Sequence, residues 1–250
     1  MKLEDRCALV IGASSGIGEA LARRLARKGF KVALLARREE ELRRLADGIN
    51  QRAEVELAYV FPHSVTDYDE IPELFDRAVE TMGGLTHVFY VASVMPKVAP
   101  DEYNFEKDRQ MVEVNLLGMI AWLNQAAQFF SRLKAGVIVG VGSIAGDRGR
   151  KGNPVYNTSK GAEAIYLEAL RNRLAGAGVR VVTIKPGFVE TAMTAGMGNL
   201  LWMISAEEAA RRITEAAEHS SGTVYVPRRW ALVSAVISSI PSFVFRKLDI

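Results

Sequence analysis

Seven short apolar runs punctuate the chain, and between them the spacing of apolar positions changes to three and four residues. The runs Cys7–Ile11, Lys31–Ala36, Val55–Phe61, His87–Ala92, Val137–Val141, Val179–Ile184 and Thr223–Val226 are rich in branched residues and bounded by turn formers, which predicts strands. Amphipathic stretches over about 16–28, 38–49, 68–82, 106–132, 154–175 and 205–218 predict helices, the last opened by the capping box Ser205-Ala206-Glu207-Glu208. Regular alternation of strand and helix implies a mostly parallel sheet covered on both faces, a doubly wound α/β fold. Ligands of such folds bind beyond the carboxyl ends of the strands.

A length of 250 residues, 49% hydrophobic and 24% charged, is enough to bury one large core. No linker, repeat or low-complexity run interrupts the chain. One domain is therefore expected, with residues 1–227 carrying the fold and 228–250 forming an apolar and basic tail of that same domain. The net charge of +3 is spread among acidic residues, as in Arg37-Arg38-Glu39-Glu40-Glu41-Leu42-Arg43-Arg44, which reads as a solvated helix face and not as a nucleic-acid surface. Cys7 is the sole cysteine and sits in an apolar run, so it is expected in the core of a protein from a reducing compartment. His63, His87 and His219 lack metal-ligand spacing and are read as strand-edge or surface residues. Met1 to Arg6 is charged and followed only by a short apolar strand. No signal peptide is expected, and a cytoplasmic location follows.

Chemistry concentrates at two places. Between the first strand and the first helix lies Gly12-Ala13-Ser14-Ser15-Gly16-Ile17-Gly18, where glycines allow a tight turn and close approach to a pyrophosphate held at a helix N-terminus. The second strand ends in Leu34-Leu35-Ala36-Arg37-Arg38, with no acidic residue to meet a ribose 2′-hydroxyl. Arg37 there suits a 2′-phosphate, so NADP(H) is preferred, with NAD(H) as the other option.

The second place is Val155-Tyr156-Asn157-Thr158-Ser159-Lys160, with Ser143 upstream. On a helix, residues i and i+4 share a face, so the Lys160 ammonium can favour the tyrosine's ionised form. A free tyrosine titrates near ~10, too high for acid–base work at neutral pH without such a neighbour. Tyr103 and Lys107 share this spacing by chance, in a segment that reads as the start of a surface helix.

These motifs, in this order, resemble the single-domain branch of the short-chain dehydrogenase/reductase family over essentially residues 5–227. The resemblance implies a Rossmann-type sheet of about seven strands and an NAD(P)(H)-dependent enzyme that interconverts a carbonyl and a secondary alcohol. It matches Gly12, Gly16 and Gly18 to the glycine motif, and Asn115, Ser143, Tyr156 and Lys160 to the catalytic set. It extends the cofactor contacts to Ser14, Ser15, Ile17, Arg37, Ser64, Val65, Ala92, Tyr156, Lys160, Pro186, Gly187, Val189 and Thr191. By implication Tyr156 donates the proton, Ser143 holds the carbonyl oxygen, Lys160 stabilises the tyrosinate and bonds the nicotinamide ribose, and Asn115 holds a water leading to solvent. Three departures stand out. Tyr90-Val91-Ala92-Ser93 replaces an amide-bearing motif after the fourth strand, Ser64 replaces an aspartate, and Ile11 replaces a threonine. A catalytically silent NADP(H)-binding regulator is the alternative, which the intact set of four argues against.

The segment after Thr191, with Met193, Met197, Leu201, Trp202 and Met203, reads as an adaptable apolar cover for a small-molecule substrate, Leu201 and Trp202 being placed in the core. The tail from Trp230 to Phe245, flanked by Arg228-Arg229 and Arg246-Lys247, is too short and too broken by Pro241 to span a bilayer. It suits either a peripheral membrane contact at the inner face or a lid or subunit contact in a homodimer or homotetramer. Within the family, Gly146-Asp147-Arg148-Gly149-Arg150 with Asn153 and the end of the tail, through Ile250, is similar to the decaprenylphosphoryl-2-keto-ribose reductases. That likeness implies an apolar or lipid-linked keto substrate.

Overall fold

The computed structural model describes residues 6–198 and 200–248. Met1 to Asp5 of the charged N-terminus, Asn199 of the segment after Thr191, and Asp249 and Ile250 of the tail lie outside the described residues. Seven parallel strands, β1 (Cys7–Ile11), β2 (Lys31–Ala36), β3 (Ala58–Pro62), β4 (His87–Tyr90), β5 (Gly136–Val141), β6 (Val179–Pro186) and β7 (Gly222–Val226), lie in the order β3-β2-β1-β4-β5-β6-β7. The order reverses between β1 and β4, and such a switch point opens a crevice above the strand ends.

Because side chains alternate across a strand, each one feeds two cores. Leu9, Ile11 and Leu35 pack with Phe75, Trp122, Phe130 and Leu167 beneath α3 (Ile71–Met82), α5 (Gly118–Leu133) and α6 (Pro154–Leu174). Val10 and Leu34 pack on the other face with Leu21, Leu42 and Ile213 of α1 (Gly16–Arg27), α2 (Glu39–Ala53) and α7 (Ala206–His219). Ser205 caps α7 as its sequence announces, its Oγ accepting from the Glu208 amide at 3.1 Å.

Several expectations shift. The helix predicted over 106–132 is α4 (Phe105–Met111), a π-helical turn (Val112–Leu117) and α5, so that an extra residue per turn is inserted around Asn115. His63 and His87 are buried instead of lying at an edge or surface. The His87 ring packs against Phe30 and Phe89, and burial lowers it to about 4, helped by Arg180 and Arg6. Cys7 is buried on β1 as expected.

The tail folds into α8 (Trp230–Ser239) and a short turn of helix, α9 (Ser242–Phe245). Arg148 clamps it. One guanidinium nitrogen donates toward the carbonyls of Ile237, Ser238 and Ile240 at 3.0, 2.9 and 2.6 Å, at the C-terminal end of α8 where carbonyls run out of helical partners, Ile237 also accepting from the Ile240 amide, and the cation lies 4.2 Å from the Phe245 ring centre. Next to it the Asp147 carboxylate accepts from Lys185, Ser234 and Tyr225, joining β6, β7 and α8. Among the described residues no helix is long and apolar enough to cross a membrane.

Candidate active site

The chain leaves β1 through Gly12, whose positive φ of +97° suits glycine and lets the amides of Gly12 and Ala13 both donate to the Leu35 carbonyl, at 2.7 and 3.1 Å. The turn is crowded by backbone: a Cβ on Gly18 would stand 2.0 Å from the Gly12 oxygen. Helix α1 therefore starts hard against the strand end, and Ser15 at its N-cap offers no side-chain cap to the first-turn amides. Uncapped N–H groups and the helix dipole are what an anion needs. The Ser14 and Ser15 hydroxyls instead accept from Arg38, at 2.9 and 2.6 Å from its Nη2.

Above the switch point lies a cavity of about 490 Å³. Gly12, Ser14, Ser15, Gly16, Ile17, Gly18 and Arg37 line it together with Ser64, Val65, Ala92, Tyr156, Lys160, Pro186, Gly187, Val189 and Thr191, the last packing beside Gly16. Every residue expected to touch the cofactor thus faces one space, and among the described residues lining it there is no Asp or Glu. A phosphate-bearing dinucleotide fits this donor set.

At the far end, Asn153 adopts a left-handed conformation and starts α6. Its Oδ1 accepts from the Tyr156 amide at 3.3 Å, its Nδ2 donates to the Pro96 carbonyl at 3.1 Å, and Pro154 fills the first turn. Tyr156 and Lys160 then fall on one face toward the cavity, with the Lys160 Nζ 5.7 Å from the Tyr156 ring centre. Tyr103, with the same spacing to Lys107, is 96% exposed.

Ser143 and Asn115 are placed differently. Ser143 follows β5, and its Oγ accepts from the Ala145 amide at 3.1 Å. Its neighbours Gly142 and Ala145 line the cavity, whereas Ser143 does not. Asn115 is fully buried in the π-helical turn. Its Oδ1 accepts from the Val94 amide and the Ser93 hydroxyl, and its Nδ2 donates to the Val94 carbonyl and the Ser159 hydroxyl. With both lone pairs and both protons engaged, the amide has no capacity left for a water. It braces the loop after β4 against α6 beside Lys160. The unusual Tyr90 makes a related tie, its hydroxyl donating to the Val114 carbonyl at 2.6 Å.

One residue of consequence went unnoticed in the sequence. Glu163 is fully buried, with Oε1 and Oε2 at 2.9 and 3.1 Å from the Lys160 Nζ. Burial pushes its carboxyl up to about 7, against the pull of Lys160. Burial alone would weaken the Lys160 ammonium, but the neighbouring Glu163 and Tyr156 hold it above the ordinary lysine range. The signal was present as a carboxylate three residues after Lys160 on the inner face of a helix. Arg38 was likewise visible only as a neighbour of Arg37. Met95, Met193 and Met197 line the cavity, while Leu201 and Trp202 lie at the surface and not in the core. Trp202 packs edge-on against Trp230 and under Arg229.

The short chain dehydrogenase family model matches residues 6–199. An uncharacterized oxidoreductase of Staphylococcus aureus (strain MW2) is 34% identical over 193 residues, covering 77% of this chain and 82% of that protein. One from Staphylococcus epidermidis is 32% identical over 195 residues, covering 78% and 83%. Among solved structures, a substituted actinorhodin polyketide ketoreductase with NADPH superposes with a TM-score of 0.79 at 27% identity, over 90% of this chain and 97% of that one. A short-chain type dehydrogenase/reductase from Mycobacterium ulcerans gives 0.83 at 22% identity, over 96% and 98%, a likeness of fold.

Proposed function

The chain belongs to the short-chain dehydrogenase family, and from that premise we propose that it reduces the carbonyl of an apolar or lipid-like substrate with NADP(H). The observation that carries this reading is the continuity of one cavity from the glycine turn and Arg37 to Tyr156 and Lys160. The NADPH-bound ketoreductase among the similar structures supports it.

In this reading the uncapped start of α1 holds the pyrophosphate, and Arg37, with Arg38 across Ser14 and Ser15, holds the 2′-phosphate. NADPH supplies the hydride when bound. Tyr156 delivers a proton to the carbonyl oxygen, and Lys160 returns charge balance to the phenol and bonds the nicotinamide ribose. Ser143 reaches the carbonyl oxygen once its hydroxyl turns from the Ala145 amide. Asn115 acts as a brace that keeps Ser159 and Lys160 in place. Met95, Met193 and Met197 supply an adaptable apolar wall. The tail is part of the same domain, its exposed Leu232, Val236, Phe243 and Val244 beside Arg246 and Lys247 facing a second subunit or a membrane surface.

The direct test follows NADPH absorbance with a panel of apolar ketones, where consumption is expected and its absence with every ketone would defeat the reading. Cofactor choice gives a second check. Arg37→Asp is expected to move the preference from NADPH toward NADH, with a loss of about 1.5–3 kcal/mol in NADPH binding as a charged hydrogen bond disappears. Measured Kd values for both cofactors decide it, and an unchanged ratio would leave Arg38 alone holding the phosphate.

A further inference from the structure

The Tyr156 end of the cavity contains a cation that nothing described around it neutralises. Arg150 sits half-buried in the loop leading to Asn153 and lines the cavity with Tyr156, Met95, Met193 and Met197. Its Nε is closed off from solvent and has no hydrogen-bond partner. Asp147 is close enough for its charge to act on Arg150, but its carboxylate is already engaged by Lys185, Ser234 and Tyr225. Burial accordingly lowers Arg150 from the ordinary arginine range.

The other cations of the cavity have work to do. Lys160 is paired with Glu163, Arg38 is tied to Ser14 and Ser15, and Arg37 stands with them at the end of β2, across the glycine turn from the β5 side. The cofactor's phosphates are met there, so none is left for Arg150. A guanidinium withdrawn from water with an open donor is costly unless an anion completes it, and its planar fork matches a carboxylate or a phosphate.

We propose that Arg150 binds an anionic group of the substrate, so that the preferred substrates are ketones carrying a carboxylate or a phosphate on an otherwise apolar skeleton. This rests on the reductase reading above. The methionines enclose the apolar part, Arg150 takes the anion, and the two together fix which carbonyl is presented to Tyr156.

The test uses the full chain with NADPH and matched substrates: 3-oxodecanoate, its methyl ester, and a keto-alkyl phosphate of similar length. The expected result is a kcat/KM for one of the anions about ten- to hundredfold above the neutral ester, the worth of one charge-assisted hydrogen bond. In Arg150→Leu that ratio is expected to collapse toward one through a raised KM, and in Arg150→Lys to recover only in part, since the charge returns without the fork. Which anion wins identifies the group. Equal rates for acid, phosphate and ester in the unaltered enzyme, or a preference that survives Arg150→Leu, would overturn the proposal. A parallel titration of the protein–NADPH complex with decanoate, decyl phosphate and decanol keeps the question separate from turnover. Anion binding that weakens about tenfold in Arg150→Leu, or its Gln counterpart if Leu does not fold, supports the role of Arg150 even if no ketone is reduced. Equal binding of decanol and both anions counts against it even if ketones are reduced.

Discussion

Tyr156→Phe is expected to lower kcat for ketone reduction by about 10²–10⁴-fold, the usual contribution of a positioned general acid, with little change in the Kd for NADPH. The phenyl ring keeps the volume that α6 presents to the cavity, and the glycine turn and arginines that meet the phosphates are untouched. Only the hydroxyl group, and with it the transferable proton, is lost. The specificity of the effect can be read from Tyr103→Phe, which removes a hydroxyl with the same spacing to a lysine but on a ring that faces solvent. That change should leave kcat as it was. Near-normal turnover in Tyr156→Phe, measured by NADPH consumption at saturating ketone, would assign the proton to another group.

The second large effect concerns stability. Lys160→Met removes the charge that, among the described residues, compensates the buried Glu163 carboxylate. Breaking one side of a buried ion pair costs about 3–5 kcal/mol, whereas replacing both sides with apolar residues is often neutral or stabilising. Lys160→Met/Glu163→Leu is therefore expected to regain most of the loss, since Leu167 and its neighbours already form an apolar surround. The sign of the pH dependence follows from the carboxyl, which is raised by burial from 4.5 to about 7 even with Lys160 present. A group raised on folding holds its proton more tightly in the native state, so stability falls as pH rises through that window. Without Lys160 the deficit should be smallest in mild acid, where Glu163 is neutral, and largest in mild alkali. Urea unfolding at about pH 5.5 and 8.5 separates these limits. A double variant no more stable than the single one would show that water reaches the carboxylate.

The sequence was most readable where the physics is local. β1 and β2 begin and end where their apolar runs do, because strands buried on both faces leave little room for polar residues. The start of β3 at Ala58 instead of Val55 was hidden, since the chain first turns through a left-handed Glu54 and the Asn50 side chain takes up the Leu57 and Ala58 amides. β4 ends early because the Val91 and Ala92 amides both turn to the Ile11 carbonyl. The glycine turn and the Tyr156/Lys160 pair could be read from spacing alone, as each lies within one turn or helix face. The binding of the Asn115 amide to Val94 and Ser159, and the release of Arg150 by the occupation of Asp147, depend on contacts between distant segments. No local pattern records them.

The Arg148 clamp couples the tail mechanically to the cavity. The family model matches residues 6–199, so α8 and α9 lie beyond the matched segment, yet Arg148 and Asp147 fasten them to the loop that carries Arg150. A change in the packing of the tail is thereby expected to reach the cavity wall at Arg150.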